Sequence, residues 1–169
     1  YVSALAADSD GNIWIGTNSG LFFVDLQSDS IQHILLDETS CSAPLNGITS
    51  MVQDRNGNMW ISGKNGFIVN YNLKKKSKRI IKIPDNSDQL SNSFTKLFVD
   101  RDNDLWVGNL YGLYLLDPVK EEWDSRLNGK IRENDGLKRI GAISQNIDGL
   151  IWVASDGGGA YIIDKKTWN

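Results

Sequence analysis

Short apolar, β-branched runs alternate along this chain with polar clusters rich in Gly, Asn and Asp. Residues 47–83 show the pattern most plainly. Gly47-Ile48-Thr49-Ser50-Met51-Val52-Gln53-Asp54 reads as a strand, and Asp54-Arg55-Asn56-Gly57-Asn58 as a tight turn. Asn-Gly supplies the positive φ angles such turns need, and the Asp carboxylate can accept from the turn's own amides. Met59–Ser62 is a second strand, Lys64-Asn65-Gly66 a turn and Phe67–Tyr71 a third strand. Lys74-Lys75-Lys76-Ser77 is the next turn, and Arg79–Ile83 the fourth strand. Four consecutive antiparallel strands make a meander, and no helical periodicity competes with it.

The meander repeats. Trp14, Trp60, Trp106 and Trp152 stand 46 residues apart. Asp8, Asp54, Asp100 and Asn146 precede them by six residues, and Gly11, Gly57, Asn103 and Gly149 by three. Gly20, Gly66, Gly112 and Gly158 follow each Trp by six. A period of this length carrying several short strands predicts an all-β fold, the β-propeller, with four-stranded meanders as blades. The blades fall at about 1–46, 47–92, 93–138 and 139–169. The first is predicted to hold strands at Val2–Ala7, Ile13–Thr17, Leu21–Leu26 and Ile31–Leu36, and the third at Phe94–Val99, Leu105–Gly108, Leu113–Leu116 and Trp123–Leu127. The fourth has Ile140–Gln145, Ile151–Ala154 and Tyr161–Ile163, with an extra residue at Gly157-Gly158-Gly159. It is incomplete, so residues 1–169 are expected to be a propeller fragment, an open arc of a larger ring or one of two arcs paired face to face.

Blades stack face to face, and a Trp in the second strand is a large flat filler for the gap, with an indole N–H left for a polar neighbour. The small residue two positions on (Gly16, Ser62, Gly108 or Ala154) leaves room at the crowded inner edge.

These residues resemble the two-component regulator propeller repeat. Its pattern is Asp, then Gly-Asn, an apolar residue, Trp, an apolar residue, Gly-Thr, and later Gly-Leu, aromatic residues and Asp. The first unit reads Asp8-Ser9-Asp10-Gly11-Asn12-Ile13-Trp14-Ile15-Gly16-Thr17, then Gly20-Leu21-Phe22-Phe23-Val24-Asp25, and the third closes on Gly112-Leu113-Tyr114-Leu115-Leu116-Asp117. Asp88-Gln89-Leu90-Ser91-Asn92 also resembles the family's inter-blade loop. Departures are Ser62-Gly63, Asn103-Asp104 and Ala154-Ser155. The resemblance implies a non-enzymatic segment of the periplasmic sensor of a hybrid two-component histidine kinase of the Bacteroides type. Its implied ligand is a glycan-derived oligosaccharide, and its implied partners are further blades and a second protomer of the parent protein. Alternatives of other classes are a propeller lyase or hydrolase fragment, or a protein-interaction propeller.

Composition adds exclusions. A net charge of −3 gives no basic excess for nucleic acid, and no apolar run of 18 residues spans a bilayer. Cys41 is the single cysteine, so no intrachain disulfide forms. A calcium loop from Asp8 would need a glutamate where Ser19 stands, so no metal or cofactor is expected. His33, the one histidine, lacks a partner for catalysis. The cluster Lys74-Lys75-Lys76-Ser77-Lys78-Arg79 reads as a solvated hairpin tip, or as a contact for an anionic glycan or membrane head groups. Ligand recognition is expected where the repeat diverges, at the rim built from second-to-third strand tips and the loops back to the next blade. Its candidate residues are Asn18, Lys64, Asn65, Tyr111, Arg139 and Asp156. Tyr111 offers a face for stacking on a sugar, and the others can bond hydroxyls.

Overall fold

The computed structural model describes residues 1–36, 47–64, 66–84, 95–127 and 139–168. The chain divides into two compact units, Tyr1–Ser93 and Phe94–Asn169. The first unit holds two antiparallel meanders. One is β1 (Val2–Ala7), β2 (Ile13–Thr17), β3 (Gly20–Asp25) and β4 (Ser30–Ile34); the other is β5 (Ile48–Gln53), β6 (Asn58–Gly63), β7 (Phe67–Asn72) and β8 (Ser77–Lys82). The second unit holds β9 (Lys96–Val99), β10 (Leu105–Gly108), β11 (Leu113–Asp117) and β12 (Glu122–Trp123), then the three-stranded sheet β13 (Ile140–Gln145), β14 (Ile151–Ser155) and β15 (Gly159–Ile163). Strands pair in chain order in every sheet.

The recurring Asp and Trp are joined directly. Asp54 Oδ1 accepts from the amides of Asn56 and Asn58, both at 2.9 Å, while Oδ2 accepts from Asn58 Nδ2 and from the indole Nε1 of Trp60, again at 2.9 Å. Asp8 holds Trp14 Nε1 at 3.1 Å and Asp100 holds Trp106 Nε1 at 2.8 Å. The indole therefore bonds its own hairpin turn. Gly11, Gly57, Asn103 and Gly149 close these turns at φ 85°, 78°, 71° and 89°, the left-handed region that Gly and Asn enter most cheaply. Asn146 departs from the pattern. Its Oδ1 accepts from the amides of Asp148 and Leu150, but its second terminal atom is a donor and bonds Asp148. It has no second oxygen for an indole. Trp152 is 42% exposed, against 2% or less for Trp14, Trp60 and Trp106.

A second recurring device is a bulge at the start of the innermost strand. Register shifts lie between Val2 and Ala4, between Ile48 and Ser50, and between Ile140 and Ala142. One extra residue in a strand re-aims the side chain before it. Ile48 and Met51, three apart, thereby reach one apolar cluster with Trp14, Leu21 and Phe23 of the preceding sheet. In the second unit, Ile140 joins Trp106, Leu113 and Leu115. Gly16 and Gly108 make room for this. A Cβ on Gly16 would lie 2.5 Å from Ile48 Cγ2, and one on Gly108 would lie 2.4 Å from Ile140 Cγ2.

The even step of the later glycines hides two loop types. Gly20 pairs with Thr17 at the head of β3, and Gly112 accepts from the Asn109 amide, so these loops are two residues long. Ser62 pairs with Ile68 and Ser155 with Gly159, so Gly66 and Gly158 fall inside three-residue loops. The extra residue expected in the fourth unit is thus present in the second as well. It moves the third strand's closing cap from a 46-residue step to Asp25, Asn72, Asp117 and Asp164, which accept from turn amides at Gln27, Lys75, Val119 and Lys166.

Candidate functional site

The tips between second and third strands meet the starts of innermost strands, their own and the next. In the first unit the Asn18 amide donates to the Tyr1 carbonyl oxygen at 3.3 Å. Asn18 and Lys64 converge over Gly47, where a Cβ would lie 3.2 Å from Asn18 Oδ1 and 3.2 Å from Lys64 Cε. Asn65 lies outside the described residues, as does Cys41.

In the second unit the corresponding tips bring Arg139 and Asp156 together, next to the loop that carries Tyr111. The Arg139 amide donates to the Leu110 carbonyl at 3.1 Å, and the Asp156 amide to the Arg139 carbonyl at 3.0 Å. Arg139 holds φ 53°. Its guanidinium stands 3.8 Å from Asp156 Oδ2, both side chains mostly exposed. Such a pair contributes about 0–1 kcal/mol and rearranges readily around a ligand. Tyr111 is half-buried beside them. Beneath lies Asn109, which sequence reasoning passed over. It is 1% exposed, and its Oδ1 accepts from the amides of Tyr111 at 2.8 Å and Gly112 at 3.0 Å. Its Nδ2 has no hydrogen-bond partner among the described residues. A buried unmatched donor costs roughly 1–3 kcal/mol. The one available signal was a long polar residue at a strand end where the other sheets carry Thr17, Gly63 and Ser155.

A cavity of about 550 Å³ in the second unit is lined by Trp123, Arg126, Lys165 and Trp168 among others. Its charges are matched internally. Arg126 forks onto Asp124 and lies over the Trp168 ring at 4.2 Å. The Arg126 hydrogen bonds hold the Asp124 carboxyl below its ordinary range, overcoming burial. Lys165 Nζ sits 2.7 Å from Asp100 Oδ2, 2.8 Å from Asp102 Oδ2 and 2.7 Å from Asp104 Oδ2. Burial pulls the Lys165 pKa down, but the hydrogen bonds to the three aspartates outweigh it and raise it.

Replacing Lys165 with Met is expected to destabilise the second unit by about 2 kcal/mol at neutral pH. Because the ammonium's pKa is raised on folding, its contribution is complete below the unfolded value of about 10.4. It is lost as pH climbs toward the higher folded value. Urea titrations across the alkaline range should show the gap between wild type and Lys165→Met closing above that point. A constant gap would mean that packing, not charge, carries the effect.

His33 stands on β4 and stacks on Phe22, ring centroids 4.7 Å apart. The lysine cluster sits at the β7–β8 turn, with Lys74, Lys75 and Lys76 exposed and Lys74 Nζ 3.9 Å from the exposed Asp10. No helix among the described residues is long and apolar enough to cross a membrane.

Residues 1–19, 42–65 and 88–111 match the sequence profile of the two-component regulator propeller. These three segments carry two-component regulator propeller repeats. Each matched segment includes the first two strands of a sheet. No curated protein sequence matches the chain. Among solved structures, the propeller repeats superpose on the extracellular domain of a hybrid two-component system from B. thetaiotaomicron with a TM-score of 0.74 and 18% identity. They superpose equally on the extracellular domain of a one-component system from the same organism, with a TM-score of 0.74 and 22% identity. A catalytically inactive virginiamycin B lyase from Staphylococcus aureus, crystallised with quinupristin, gives 0.70 and 16%. The alignments cover 98%, 99% and 98% of this chain, but only 21%, 24% and 53% of the three structures. At these identities the likeness establishes the propeller fold.

Proposed function

We propose that this segment belongs to the sensor propeller of a two-component regulator acting outside the cytoplasm, in the periplasm, and that its rim binds an oligosaccharide without transforming it. One observation carries the proposal. Arg139 and Asp156 pair beside the loop that carries Tyr111, and that loop is held by the buried Asn109, whose Nδ2 has no hydrogen-bond partner among the described residues. An aromatic face, a cation and an anion suit a ligand that presents both C–H faces and many hydroxyls. The lyase-type reading needs a histidine poised over a substrate. His33 is stacked on Phe22 of its own sheet, on an outer strand, so the sensor reading is the better supported.

The test is calorimetric titration of neutral and acidic oligosaccharides. A ligand that binds should lose at least about tenfold in affinity with Tyr111→Ala and again with Arg139→Ala, about 1.4 kcal/mol each. Binding unaffected by both substitutions would remove the rim from the proposal, and catalytic turnover of the ligand would remove the sensor reading.

A further inference from the structure

The β7–β8 hairpin carries a charge that the rim does not use. Residues 55–84 contain no Asp or Glu, in a chain whose net charge is −3. Six cations fall within nine positions: Lys74, Lys75 and Lys76 in the turn, then Lys78, Arg79 and Lys82 on β8. Strands pair in chain order, so this turn lies at the opposite end of the sheet from the β6–β7 tip that carries Lys64. β8 is the outermost strand of its sheet and lies well inside the chain.

The fold does not ask for the lysine side chains of the turn. Backbone amides hold it: Lys75 donates to Asn72 Oδ1 at 2.9 Å and Lys76 to the Leu73 carbonyl at 3.3 Å. The corresponding turns of the first and third sheets read Leu26-Gln27-Ser28-Asp29 and Pro118-Val119-Lys120-Glu121, and form without a cluster. Charge on β8 itself guards an edge against pairing with another strand. That does not account for the turn, because the ladder ends where Asn72 faces Ser77. Lys74, Lys75 and Lys76 are all exposed, and the 3.9 Å approach of Lys74 to the exposed Asp10 neutralises little. Three adjacent lysines repel one another, a cost that an anionic partner would relieve.

We propose that the β7–β8 hairpin binds an acidic polysaccharide, whose carboxylates or sulfates lie along the turn and the outer edge of β8. Ammonium groups on long flexible stems suit a row of hydrated anions, whereas Arg is the better grip on one fixed carboxylate or phosphate. Single-stranded nucleic acid calls for exposed aromatic faces among the cations. The hairpin has only Tyr71, half-buried and edge-on to Trp14 with centroids 5.9 Å apart. A flat lipid surface would also meet Asp10 and Asp29, both exposed on turns at the same end of the first sheet. A narrow polymer can follow the lysines alone. This contact is separate from the rim and does not depend on it.

Fluorescence-anisotropy titration of labelled dextran sulfate and polygalacturonate tests this, with neutral dextran and single-stranded DNA alongside and phosphatidylglycerol vesicles followed by co-sedimentation. The acidic polysaccharides are expected to bind, and to weaken as salt passes about 0.1 M, where the screening length is about 10 Å. Neutral dextran should not bind. Lys75→Gln/Lys76→Gln should lower the affinity at least about tenfold without lowering the melting temperature. Lys120→Gln/Lys166→Gln removes the same charge from exposed sites elsewhere and should change it less than about twofold. Tyr111→Ala should leave it unchanged, which separates this contact from the rim. Failure of both acidic polysaccharides to bind overturns the proposal, as does an equal loss in the two double variants. Tighter binding of the DNA or the vesicles than of either polysaccharide overturns it too, and would assign the hairpin to that partner.

Discussion

Asp54→Ala is expected to lower the free energy of unfolding by about 4 kcal/mol. The carboxylate is 4% exposed and accepts from two turn amides, the Asn58 side chain and the Trp60 indole. Removing it strands all four donors, the Trp60 indole in a fully buried position. Asp54→Asn should cost roughly half as much, because the Oδ1 bonds persist while Nδ2 faces two donors. The molecule contains its own control. The fourth sheet already carries Asn146, its Trp152 is solvent-accessible, and Asn146→Asp should change stability by less than about 0.5 kcal/mol. Urea titration followed by tryptophan emission reads all three. A loss below about 1 kcal/mol for Asp54→Ala would show that the indole bond is incidental to the fold.

Gly108→Ala is the second large effect, a loss of about 2 kcal/mol from one added methyl. That methyl would sit 2.4 Å from Ile140 Cγ2 and 2.6 Å from Ile140 Cβ. A β-branched side chain held at a bulge cannot swing away. Ile140→Ala alone should cost about 3 kcal/mol through the cavity it leaves. The double variant should cost less than the sum by at least about 1 kcal/mol, since the shortened side chain relieves part of the clash. Strict additivity in this cycle would mean that the two residues do not meet.

Much of this architecture could be read from the residues, for identifiable reasons. β1, β2, β10 and β13 fall where the sequence predicts them, because each is bounded by turn residues with little choice of conformation. The outer strand of the third sheet was less legible. It is predicted over 123–127 and forms at Glu122–Trp123, because Asp124 turns back on Arg126 and takes its backbone and side-chain N–H groups. The Asp and Trp were visible as a spacing of six, but spacing does not reveal a bond across a hairpin. The bulges left no mark at all, since Ser3, Thr49 and Gly141 share no residue type. The glycine step misled in the opposite sense, regular in sequence while the loops differ in length. At the rim, exposed polar tips could be named in advance, but Asn109 could not. Its significance lies in a donor left without a partner, which is a property of packing.

The bond between each aspartate and its indole is contained within one hairpin, and within each unit an isoleucine seated on a glycine lies in the joint from one sheet to the next. The first three stretches at the 46-residue step therefore each bring their own fastening. A gene segment of that length could be copied or deleted in frame and the remaining sheets would still find matching neighbours. Lengthening or shortening such a protein by whole repeats should be tolerated far better than removing any single strand.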